Sequence, residues 1–191
     1  MKYAKIQGLN VLKYPYTMDD LRADNPSTGY GDLTNPAAVF ADTDPAKKNG
    51  WQLVVVQPTA QPAFNPLLQT VSEAVPLLQS GSWVQSWVVS NLPISQAQAN
   101  MEQACLNAVQ DQLDFVARSW QYLSILSATT YAASTVPKFK AEALALIAWR
   151  DAVWVYAYTT LASIQDGSLP MPSSTADFIA TLPAAPTRPV A

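Results

Sequence analysis

The chain has no histidine and one cysteine, Cys105, among its 191 residues. Without imidazole there is no side chain that titrates near neutrality to act as base, acid or metal ligand. A lone thiol can form neither an internal disulfide nor a thiolate cluster, which suits a reducing compartment or a fold that needs no staple. Charge is scarce too. Charged residues make up 13% of the chain, against about 25% in an ordinary soluble domain. A net charge of −3 offers no basic footprint for a phosphate backbone, so no nucleic-acid partner is expected. Met1 to Tyr16 mixes Lys2, Lys5 and Lys13 with apolar residues and lacks the continuous apolar run of a signal peptide, so no secretory route is expected.

What remains is a chain 49% hydrophobic, long enough for one core or a small domain with an attachment. Its surface must be completed by Gln, Ser, Thr, Asn and apolar atoms, a composition suited to lasting contact with other polypeptides. The charges are unevenly spread. Residues 1–50 carry six basic and six acidic side chains, and the next fifty carry only Glu73.

The pattern along the chain predicts an α+β fold: a small N-terminal β-containing module over 1–93, a C-terminal helical hairpin or small bundle over 94–182, and a Pro/Ala tail over 183–191. Tyr3 to Tyr14 reads as one short strand ended by Pro15. Thr17 caps a short helix whose first turn holds Asp19 and Asp20, and Asn25-Pro26 stops it. Ser27 to Gly50 reads as loop, and Trp51 to Gln57 as a strand. Pro58, Pro62 and Pro66 make a stiff extended connector. Leu68 to Leu78 and Ser82 to Ser90 flank Gln79-Ser80-Gly81 as a hairpin, with Trp83, Gln85, Trp87 and Val89 on one face.

Beyond Pro93 the period changes to that of helices. Ser95 is expected to cap a helix to about Gln121, with Met101, Cys105, Ala108, Gln112, Phe115 and Ser119 on one face and Asp114 four before Arg118. A second helix is expected from about Tyr122 to Ala132, and a long third from about Lys138 to Asp166, closed by Gly167. A short helix from about Thr175 to Leu182 follows. On the long helix Leu146, Trp149, Val153, Tyr156 and Ile164 form one apolar stripe. Leu144, Ile147, Trp154, Tyr158 and Leu161 form another. A helix apolar on two faces must be central in a bundle or face a partner chain. The Ala143 to Gln165 segment is interrupted by Arg150 and Asp151, which points to a core or interface helix and not a membrane span.

No catalytic, cofactor-binding or metal-binding set is expected. Asp19-Asp20 suits capping, and Asp32, Asp42 and Asp44 lack the alternation and closing glutamate of a calcium loop. Gly29-Tyr30-Gly31 lacks the Lys-Ser/Thr of a phosphate cradle. Cys105 has no base to activate it. The candidate interaction residues are Trp83 and Trp87, which suit either a small sheet's core or a sugar or peptide platform, and Trp149, Arg150, Asp151, Trp154 and Tyr158 on the long helix. Arg150 and Asp151 project about 100° apart and are expected to reach different partners.

Two stretches resemble known proteins. Tyr14-Pro-Tyr-Thr-Met-Asp-Asp-Leu-Arg-Ala-Asp-Asn-Pro-Ser-Thr is similar to the opening of a family of bacteriophage tail proteins, with Gly50-Trp-Gln-Leu-Val-Val-Val and the proline connector in the places of that family's next strand and linker. Ala117-Arg-Ser-Trp-Gln-Tyr-Leu-Ser-Ile-Leu-Ser-Ala-Thr-Thr-Tyr-Ala-Ala-Ser-Thr-Val-Pro-Lys-Phe, with Glu142 and Ala148-Trp-Arg-Asp-Ala-Val-Trp-Val-Tyr-Ala-Tyr, resembles a pattern of tail fibre-associated proteins. This chain departs from those patterns at Gly29-Tyr-Gly-Asp, and Thr129 or Thr130 and Ala157 stand where the family has cysteines. The resemblance implies no catalytic residues. It implies a fibre- or baseplate-end structural protein of a virion tail, made in the host bacterial cytoplasm and docking other tail or fibre proteins or copies of itself. The alternative is a fibre-assembly chaperone that leaves before the particle is finished. A sugar-binding receptor module is a third reading, resting on Trp83 and Trp87 alone.

Overall fold

A computed structural model describes residues 1–27 and 50–189. The expectations for Gly29-Tyr30-Gly31, Asp32, Asp42 and Asp44 lie outside them. The fold is α+β, in two compact units, Met1–Asn91 and Leu92–Ala191.

In the first unit the opening stretch is two strands and not one: β1 (Lys2–Gln7) and β2 (Asn10–Lys13). Gly8 turns the chain between them at φ +60°, a backbone region that glycine enters without a Cβ clash. Helix α1 (Met18–Asp24) follows, with a complete capping box: Thr17 accepts from the Asp20 amide, and the Asp20 side chain accepts from the Thr17 amide. Strand β3 (Trp51–Val56) pairs antiparallel with β1, giving the order β2-β1-β3.

Both faces of β1 are used. Tyr3 packs with Tyr16 and Leu21 beside α1, while Ala4 and Ile6 pack with Val56 and Trp83. Trp83 comes from a hairpin, β4 (Gln69–Gln79) and β5 (Ser82–Asn91). Ser80 and Gly81 both have positive φ, which makes a two-residue turn whose twist matches the strands. The ladder slips between Ala74 and Leu77, where Pro76 has no amide to give. Gln57 ties the hairpin to the sheet, donating to the Trp83 carbonyl at 2.8 Å and accepting from the Gln85 amide at 2.8 Å.

The second unit is helical: α2 (Ile94–Ser119), α3 (Ile125–Thr129) running into a 3-10 turn (Thr130–Ala133), α4 (Pro137–Gln165) and α5 (Thr175–Ala180). The expected Ser95 cap is not formed. The helix starts two residues earlier, with Pro93 in the cap position and no side-chain bond. The expected helix from Tyr122 is shorter, because Ser124 forms a capping box with Ser127 and Asp114 accepts from the Ile125 amide at 2.7 Å. Asp114 is thereby drawn from Arg118, which lies 3.9 Å away.

The buried side of α2 runs through Ala97, Met101, Cys105, Val109, Leu113, Val116 and Ala117. Ala108, Gln112, Phe115 and Ser119, expected on that face, lie off it. After Cys105 the buried row advances in steps of four, which leaves Phe115 exposed. The core side of α4 runs through Ala143, Leu146, Trp149, Val153, Ala157, Leu161 and Ile164. Alanine and cysteine at these positions let the helix axes approach closely.

Candidate interaction surfaces

A 29-residue helix that is apolar on all sides must choose which side to bury. The first predicted stripe is the buried one, except Tyr156, which is exposed; of the second, Leu144 and Tyr158 are exposed, Ile147 and Trp154 are half-buried and Leu161 is buried. The outward positions are Ala141, Leu144, Ala148, Asp151, Val155, Tyr158 and Ala162, all exposed and spaced three, four, three, four, three, four. That is the a/d spacing of a coiled-coil seam. Leu144 is 49% exposed, Tyr158 59% and Val155 67%.

The charged residues on this helix behave differently from expectation. Arg150 and Asp151 bond to each other, with the guanidinium donating to Asp151 Oδ1 from Nε at 2.9 Å and from its terminal nitrogen at 2.7 Å. The arginine side chain is long enough to span the arc between adjacent helix positions, so no second partner is needed. Trp154, half-buried beside the outer seam, stacks on the seam's Tyr158 with ring centroids 5.4 Å apart. Trp149 is different again: it is buried, and its indole donates to the Pro183 carbonyl at 2.9 Å.

Two polar clusters escaped the sequence reading. Glu142, on the inner side of α4, is 0% exposed. Its Oε1 accepts from Arg188 Nε at 2.8 Å and its Oε2 from the Tyr122 hydroxyl at 2.8 Å. Burial alone would raise the Glu142 carboxyl, but these two donors outweigh it and hold the group below its ordinary value. The Tyr122 phenol is pushed up to about 12, by burial first and then by Glu142. The segment read as a tail is therefore fastened at Pro183 and Arg188. A single glutamate in an Ala/Leu-rich helix was the available signal.

The first unit has a parallel arrangement around Glu73, which accepts from Lys2, from the Tyr14 hydroxyl and, at 2.7 Å, from Gln85 Nε2. Those donors keep its carboxyl below the usual value although burial opposes them. Burial and the bond to Glu73 push Tyr14 up to about 12.

Trp83 and Trp87 leave the same strand face but do not make a paired platform. Trp83 is buried in the sheet core, and Trp87 is half-buried with its indole donating to Thr59 Oγ1 at 3.0 Å. The outward apolar residues of this hairpin are Val75, Leu77, Leu78 and Val88. In the helical unit Cys105 is a free, buried thiol whose proton is held more tightly because of burial. Among the described residues, no three His, Cys, Asp or Glu side chains gather as metal ligands, and no helix is long and apolar enough to cross a membrane.

Compared with known proteins, the chain matches no family model, no curated protein and no solved structure.

Proposed function

We propose that this protein is a structural component of a bacteriophage tail, at the fibre or baseplate end, that works by docking on neighbouring tail polypeptides. The observation that carries the docking part is the outer seam of α4, seven exposed positions at coiled-coil spacing with a single charged residue among them. Apolar residues scattered singly on a surface need no explanation, but an aligned row marks an interaction face. A partner helix laid in the seam takes Leu144, Val155 and Tyr158 out of water. Complete burial of a large apolar side chain contributes about 1.5–3 kcal/mol. The tail assignment draws on the similarity of the Tyr14 to Thr28 and Ala117 to Tyr158 stretches to tail and fibre-associated proteins.

Mass spectrometry of purified particles is expected to find this chain, with cross-links from the exposed Lys138 and Lys140 at the start of α4 to another tail polypeptide. Its absence from finished particles overturns the structural role and leaves the assembly chaperone. Val155→Glu is expected to leave the fold intact, because Val155 already faces water, and to lower incorporation roughly ten-fold or more, the equivalent of about 1.4 kcal/mol. Unchanged incorporation would remove the seam from the docking surface.

A further inference from the structure

The last described residues, Pro183-Ala-Ala-Pro-Thr-Arg-Pro189, form neither helix nor strand, yet they are not loose on the surface. Pro183, Pro186 and Pro189 are half-buried, and Ala184, Ala185, Thr187 and Arg188 are exposed. A burial period of three is that of a polyproline II helix, which has three residues per turn. Such a helix makes no internal hydrogen bonds, so its carbonyls are free to be read from outside. Trp149 does this from α4, giving its indole N–H to the Pro183 carbonyl at 2.9 Å.

Two helical turns toward the start of α4, about 10 Å along its axis, Glu142 takes the Arg188 guanidinium at 2.8 Å while Arg188 also donates to the Trp120 carbonyl at 3.0 Å. The segment thus runs along α4 in the opposite direction, held by an indole at one end and a buried carboxylate at the other. Tyr122 fixes the second carboxylate oxygen and leaves the first aimed at the arginine.

We propose that this face of the helical unit is a recognition groove for an extended Pro-x-x-Pro-x-Arg peptide, occupied here by the chain's own C-terminal segment and able to take a partner's segment of the same chemistry in its place. The groove bonds only what any such peptide offers: a carbonyl at the first proline and a guanidinium two residues after the second. Between those points Pro186 is half-buried, while Ala184, Ala185 and Thr187 face water and are not read. Aromatic-lined grooves bind proline-rich segments in this manner because the ligand is already extended and loses little freedom on docking.

The expected occupant is a partner polypeptide, not a second copy. Each copy's own segment is tethered beside its groove at an effective concentration of the order of millimolar, so exchange between copies gains no contact. A partner that also engages other surfaces does gain. The inference rests on the docking reading above for the partner's other contacts, and its test addresses the groove separately, so that either can fail without the other.

The test uses the full chain and a fluorescent peptide of the sequence Leu182 to Pro189 added in trans. Arg188→Ala, which frees the carboxylate from its tethered partner, is expected to bind the peptide at least ten-fold more tightly than the wild type does. A peptide with alanine in place of its arginine is expected not to bind. Pro186→Gly, which loosens the segment without touching the carboxylate, serves as the second variant and is expected to bind between the two. No binding to either folded variant overturns the groove, and equal binding to wild type and variants overturns self-occupation. A dimer of the wild-type chain in sedimentation, lost in Arg188→Ala, would overturn the partner assignment in favour of exchange between copies.

Discussion

Glu73 and Glu142 solve the same problem in two different settings. Each is a carboxylate held by a tyrosine hydroxyl and by a cation near one end of the chain, Lys2 for Glu73 and Arg188 for Glu142. Around Glu73 the side chain keeps 20% of its surface in contact with water and Lys2 keeps 47%. Around Glu142 the carboxylate keeps 1%. Water can stand in for a lost partner in the first cluster. In the second it cannot, so the helical unit depends on its C-terminal segment more than the β unit depends on its first strand's lysine.

The largest effect is expected from Glu142→Ala, which leaves the Tyr122 hydroxyl without its acceptor and unfastens the segment at Arg188. Hydrogen bonds to charged groups are each worth about 1.5–3 kcal/mol, and a loss of that order is expected from the helical unit in urea unfolding. Glu73→Ala is expected to cost about 1 kcal/mol in the β unit, because its donors are partly wetted. Equal losses would abolish the contrast between the two clusters.

Acid separates the two next. Both carboxyls are depressed in the folded chain below the ordinary glutamate value of 4.5. A depressed folded value means that the unfolded chain binds the proton first as pH falls. The stabilisation is therefore complete above 4.5 and is lost as pH drops through the folded values. Thermal melts between pH 6 and pH 3 are expected to show this loss, and Glu142→Gln should reduce it in the helical unit, where Asp166 and Asp177 are also depressed, while leaving the β unit's response unchanged.

Smaller effects follow from the tyrosines. Tyr122→Phe is expected to cost about 1 kcal/mol, and Tyr14→Phe less, since Gln85 still donates to Glu73. At the bottom of the scale lies Arg150→Gln. The Arg150–Asp151 pair sits at the surface, so a change within about 0.5 kcal/mol is expected from the isolated protein.

The local chemistry was well written in the sequence. Thr17 before Asp19-Asp20, Ser80-Gly81 between alternating runs, and Gly167 after a long apolar period each specify backbone geometry within a few residues, and each element stands within a residue or two of its expected place. Less legible was the opening strand, where Gly8 alone had to signal the turn against β-rich neighbours. The buried row of α2 departs from alternating steps of three and four because the helix buries every fourth residue from Ala97 to Ala117.

The candidate surface divides in the same way. The two apolar stripes of α4 were visible as periodicity, yet which of them faces water depended on the helices packed against it. Trp149 and Trp154 illustrate this: similar in composition and close in sequence, one bonds a backbone carbonyl in the interior and the other stacks beside the outer seam.

By itself the sequence determined the class of fold, the order of its elements, and the lack of imidazole and paired thiols, because propensity, capping and turn chemistry act over a few residues. Only the tertiary structure decided which side of α4 stays wet, that Arg150 turns to its neighbour, and that Glu142 meets an arginine 46 residues away. Those outcomes depend on long-range packing, where burial raises the cost of every unpaired charge and so selects partners that no local pattern encodes.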